Sequence, residues 1–148
     1  MEKKDDLSTF TRAASALDAF LCAWEAGTLP KNRWTHAAHV AVAACYAFDL
    51  DPDEALSRTR RGIIHFNDCV GTPNTDSSGY HETLTRLWSG IIGDFVRGGS
   101  FPSRFVAVCA AVERYGEDRT RHRLYYSFDV ISNVKARRNW VPPDCSPG

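Results

Sequence analysis

The sequence predicts an all-α fold, a single irregular bundle of five or six helices, and three observations carry that reading. Apolar residues recur at three- and four-residue steps through most of the chain, no stretch of five or more residues alternates convincingly at period two, and Gly and Pro punctuate the pattern at helix-length intervals. With 148 residues, 43% hydrophobic and 24% charged, the composition is ordinary for a globular chain and the length suffices to bury one core. No internal repeat or linker divides it, so residues 1–148 are expected to form one helical domain.

The first helix is expected over residues 8–26, where Phe10, Ala14, Leu17, Leu21 and Trp24 share a face. Gly27 and Pro30 stop it. A second helix follows Thr35, whose hydroxyl suits an N-cap, and runs through the alanine-rich residues 36–48. A third opens at Asp51-Pro52 or Pro52-Asp53, because proline is tolerated in a first turn; it carries Ile63, Phe66 and Val70 on one stripe and ends at Gly71. Residues 71–79, G-T-P-N-T-D-S-S-G, are turn formers without period and read as the longest loop. A fourth helix is expected over residues 80–96, broken by Gly98-Gly99, and a fifth over residues 103–115. The arginine-rich tail suits a short helix or an extended piece, and W-V-P-P-D, residues 140–144, is expected to pack as an extended strap burying most of Trp140.

Eighteen basic residues balance eighteen acidic ones, so no net field draws the chain to nucleic acid or an anionic membrane, and neither is an expected partner. The longest weakly polar stretch, residues 37–48, is about 12 residues, against the roughly 20 that a bilayer core requires. The charged start, MEKKDDLSTF, does not read as a secretory signal, and a cytoplasmic location is expected. Cys22, Cys45, Cys69, Cys109 and Cys145 form no C-x-x-C pair; the first four lie in helical patterns and are expected as buried, reduced thiols.

W-T-H-A-A-H, residues 34–39, places His36 and His39 on one helix face. G-Y-H-E-T, residues 79–83, puts His81 one or two residues inside the fourth helix, aligned with Thr85, Trp88, Ile92 and Phe95 and so turned inward. Three inward histidines on two helices match the three-ligand arrangement of many catalytic metal sites. His36, His39 and His81 are therefore the expected ligands of a divalent transition metal; imidazole suits zinc, iron, copper or nickel. Glu25 or Glu82 is the expected fourth ligand or general base, although Glu82 also lies four residues before Arg86 at ion-pair spacing. Trp34, Tyr80 and Trp88 are expected to line the pocket, with Asn74 and Thr75 reaching the ligand from the loop in competition with their usual turn-forming work, which Asp76 and Ser77 share.

Histidines at helix N-termini stay neutral, and the same N–H groups welcome an anion, so the expected substrate is a small anionic organic molecule. A metalloenzyme using metal-activated water or dioxygen, of hydrolase, lyase or oxygenase type, is the leading functional expectation. The competing one is a non-catalytic helical module that binds a small acidic ligand or a protein partner. Each histidine could instead be a hydrogen-bonded core residue. His65 and His122, flanked by arginines, are expected in solvent, and Cys69 near His65 reads as an inert packed thiol. No G-x-S-x-G, phosphate-binding glycine loop or dinucleotide fingerprint occurs.

The motifs W-T-H-A-A-H (34–39), N-T-D-S-S-G-Y-H-E-T (74–83) and N-V-K-A-R-R-N-W-V-P-P-D (133–144) together resemble a family of small bacterial helical proteins of uncharacterised function. The resemblance spans most of the chain and implies that these three segments belong together, without supplying a reaction or a substrate. In placing three histidines on helices the chain is also distantly similar to the DinB-type metal-dependent bundles. Here the histidine pair precedes the single histidine, with different spacing.

Overall fold

Side-chain caps, prolines and glycines cut the chain into six α-helices and two short 3-10 turns in the computed structural model, which describes residues 9–147; no strand occurs among them. The helices are α1 (Ala14–Ala26), α2 (His36–Asp49), α3 (Pro52–Val70), α4 (Glu82–Gly98), α5 (Arg104–Tyr115) and α6 (Val134–Arg138). The expected start of the first helix at Ser8 lies outside the described residues, and the helix itself begins at Ala14, after an extended Ala13. Thr35, Asp51 and Ser103 each accept the amide three residues on, as N-caps should, and Gly71 ends α3 at a φ of 80°.

α2 is the central element because its alanines let neighbours approach closely. Ala38, Ala41 and Ala44 are fully buried, and α3, α4 and α5 all pack on this helix. α1 closes over α3, where Trp24 meets Gly62. A Cβ at Gly62 would lie 2.3 Å from Cη2 of Trp24, so only glycine admits the indole there. Trp24 is completely buried and stacks with Trp34 at 5.1 Å and with Phe66 at 6.3 Å, joining α1 and α3 to the start of α2.

The last 30 or so described residues form a separate small cluster. Leu87 of α4 packs with Tyr126, Val130 and Ala136, and half-buried Trp140 and Val141 lean on them. The strap expected at 140–144 is present, but Trp140 is only half-buried, with the Arg86 guanidinium 4.7 Å above its ring. Hydrogen bonds hold the strap instead: Thr83 Oγ1 donates to Asn139 O (2.7 Å) and accepts from Val141 N (3.0 Å), and Tyr126 Oη donates to Val141 O (2.7 Å).

The cysteine expectation needs correction. Cys45 alone is buried, with its thiol pushed up to about 12 by desolvation; Cys109 is half-buried, and Cys22, Cys69 and Cys145 are exposed. α1 and α3 turn Cys22 and Cys69 outward, while Trp24 and Phe66 of the same helices take inward positions. No helix among the described residues is long and apolar enough to cross a membrane.

Candidate functional site

A cavity of about 400 Å³ opens between α2, α3 and α4 and is completed by residues of the C-terminal segment. His36 and His39 line it from α2, Thr59, Ile63 and Asn67 from α3, and Thr85, Trp88, Ser89 and Ile92 from α4; Arg119, His122 and Ile131 come from the segment after α5. Most of the wall is apolar or aromatic.

The three histidines of the expected ligand set do line this one cavity, but their ring nitrogens are committed differently. His39 Nδ1 lies 2.9 Å from Thr35 O, a carbonyl that can only accept, so Nδ1 carries the proton. Burial pushes the His39 pKa down to about 4, so the neutral ring keeps a lone pair on Nε2. Trp34 stacks on that ring at 3.7 Å and fixes its orientation. In His36 it is Nε2 that donates, to Tyr115 O at 3.1 Å, while the ring meets the Trp88 indole edge-on. Desolvation also holds the His36 pKa below its usual value.

His81 is neither inside α4 nor free to bind a metal. It is the N-cap: Nδ1 accepts the Leu84 amide at 3.2 Å, and Nε2 donates to Val130 O at 2.9 Å. Both nitrogens of a neutral imidazole are thereby used, and desolvation keeps the ring neutral by lowering its pKa. Among the described residues no group of three or more His, Cys, Asp or Glu side chains is arranged to hold a metal ion. The expected three-histidine set thus finds no support in the geometry, for the physical reason that its third member has no lone pair left.

The two expected acids are also engaged elsewhere. Glu82 forms a two-pronged pair with Arg60 (2.9 and 2.7 Å) and accepts from Tyr80 Oη (2.6 Å), not from Arg86. Burial opposes its charge, but Arg60 and Tyr80 outweigh that and hold the carboxyl below its usual range. Glu25 lies off the cavity, where it takes the Tyr46 hydroxyl and pairs with Arg58 at 3.4 Å.

Trp34, Tyr80 and Trp88 line the cavity as expected, whereas Asn74 and Thr75 do not. Asn74 Oδ1 accepts from Asn67 Nδ2 (3.0 Å) and from Tyr80 N (2.9 Å), and the Thr75 amide bonds Ser78 O, so both brace the loop. The brace is tight: Gly79 has a φ of 76°, and a Cβ there would meet Pro73 O at 2.4 Å. Arg138 pairs with Asp76 at 2.5 Å, and Arg137 donates to Gly79 O at 2.9 Å, tying α6 to the same loop.

Sequence reasoning missed several cavity residues, among them His122, Arg119, Asn67 and Ser89. His122 is buried and not in solvent, because the 3-10 turn Arg121–Leu124 points it inward between outward arginines. Arg119 stands exposed beside it, and nothing in the local pattern marks either one. Asn67 and Ser89 had a signal: each falls at helical spacing among inward residues, Ser89 four after Thr85. Ser89 Oγ and Trp24 Nε1 are the buried side-chain N and O atoms without a hydrogen-bond partner among the described residues. His65 is exposed, as expected, with its Nε2 3.5 Å from the Cys69 sulfur. The chain matches no protein-family model, no curated protein and no solved structure.

Proposed function

We propose that this helical protein binds a small organic molecule in the cavity beside His39. The observation that carries the reading is the cavity itself. Its volume of about 400 Å³ falls in the range of small-molecule sites, and its apolar, aromatic walls are interrupted by a few fixed polar atoms. Three elements of the core and one polar-tethered segment converge on it, so the walls are preformed. Pre-formed walls reduce the ordering cost of binding.

The neutral dye N-phenyl-1-naphthylamine tests the proposal, since its emission rises on transfer to an apolar site. One dye per chain is expected, with emission saturating at that stoichiometry. Ala43 lines the cavity and is 8% exposed, so Ala43→Phe fills the space from α2. That variant, shown helical by circular dichroism, is expected to lose the dye. Equal dye binding by the filled and unfilled proteins would refute the reading.

A further inference from the structure

Resting on that reading of the cavity, we infer that the ligand is an uncharged aromatic molecule that donates a hydrogen bond to Nε2 of His39, as a phenol or an indole-type N–H would.

Four features of the wall point to this chemistry. The Nδ1 edge of His39 is turned to the preceding helical turn by its bond to Thr35 O, which leaves Nε2 as an acceptor with no partner among the described residues. The Trp34 stack at 3.7 Å holds the ring plane, and the Thr35 O bond keeps the proton on Nδ1, so Nε2 offers no donor. A ligand that places an N–H or O–H there satisfies an atom that would otherwise lose a hydrogen bond when water is displaced.

Charge is excluded by the rest of the lining. Among the described residues no Asp, Glu or Lys lines the cavity, and the one guanidinium there, Arg119, is exposed. The lining histidines His36, His39, His81 and His122 are all disfavoured as cations by desolvation. A carboxylate or an ammonium drawn inside would therefore lose its hydration without gaining a buried counter-charge. The anionic ligand expected from the helix N-termini meets the same obstacle, and the Thr35 and His81 caps already take one first-turn amide of each helix, Ala38 N in α2 and Leu84 N in α4.

The remaining wall favours a flat ring. Trp34 and Trp88 present indoles, Ile63 and Ile92 present branched aliphatic surface, and aromatic ligands gain most from such contacts. Ser89 Oγ is a second unpartnered polar atom on the α4 side, able to accept from or donate to a substituent on the ring.

Titration calorimetry at pH 7 with three probes of one shape separates the possibilities. 2-Naphthol carries the donor, 2-methoxynaphthalene lacks it, and 2-naphthoate carries a charge. 2-Naphthol is expected to bind at one site, 2-methoxynaphthalene roughly tenfold more weakly, and 2-naphthoate roughly 100-fold more weakly. His39→Phe keeps a ring against Trp34 and removes the lone pair, so the first difference should vanish. If that variant fails to fold, the order of the three probes on the wild-type protein decides alone. Equal binding of naphthol and its methyl ether, tighter binding of the naphthoate, or a preference that survives His39→Phe would overturn the inference and leave the small-molecule reading standing. Failure of all three probes to bind would remove both.

Discussion

α2 and the C-terminal residues 117–147 line the same cavity, yet they are held in place by opposite means. α2 is fixed by apolar burial: from Ala37 to Ala47 all but one residue is buried, the exception being His39, which faces the cavity. The C-terminal segment buries few large side chains and leaves Leu124, Phe128, Ile131 and Val134 exposed. It is fixed by polar clasps, chiefly His81 to Val130, Thr83 to the strap and Arg137 to Gly79. The lesson is that two histidines on one cavity can do unlike work. His39, positioned by packing, keeps a nitrogen for a ligand; His81, itself a clasp, keeps none.

His81→Ala should therefore have the largest effect. It removes both the cap of α4 and the tie to Val130, and a loss of about 3 kcal/mol is expected in urea denaturation, with metal content unchanged. His81→Asn restores a good cap but not the tie, and should recover about 1 kcal/mol of the loss. A His81→Ala protein as stable as wild type would erase the contrast between the two walls.

Acid should expose the other side of the comparison. Because the folded pKa of His39 lies at about 4, below its ordinary 6.5, the unfolded chain binds the proton first as pH falls. The stability that neutral His39 supplies is complete above pH 6.5 and is lost progressively towards pH 4, on the order of 3 kcal/mol in all. His36, His81 and His122 shift in the same direction and steepen the loss. Denaturation midpoints of wild type and His39→Phe between pH 7 and pH 4.5 isolate the His39 share. Parallel curves would contradict its burial as a neutral ring.

Truncation after Arg138 is the mildest of the three changes. It removes the strap's bonds to Thr83 and Tyr126 and the Trp140 packing, about 2 kcal/mol, or a fall of roughly 4–8 °C in melting temperature. An unchanged melting temperature would mean that the clasps hold the segment without stabilising the bundle.

The all-α class and most helix ends were legible because they are written locally, whereas the start of α1 at Ala14 and the place of His81 outside α4 were not. Thr35, Asp51, Pro52, Gly71 and Ser103 act within one turn of their own position, and the Phe66 and Trp24 stripes follow from helical period alone. The same local logic found Trp34, His36, His39, Tyr80, His81 and Trp88 on one cavity. It could not find Arg119 and His122, which reach the cavity through a 3-10 turn in a stretch without apolar period.

What each polar group does was decided by tertiary structure, because a hydrogen-bond partner distant in sequence leaves no mark on the residue that needs it. Glu82 reads locally as a partner for Arg86 and is claimed by Arg60, one helix away. His81 reads as a metal ligand until Val130, 49 residues on, takes its second nitrogen. The sequence alone determined where the helices run and which faces are apolar, through short-range periodicity and capping. Only the fold decided that His39 keeps a lone pair on Nε2 while His81 keeps none, because that depends on which ring nitrogens found partners when the helices packed.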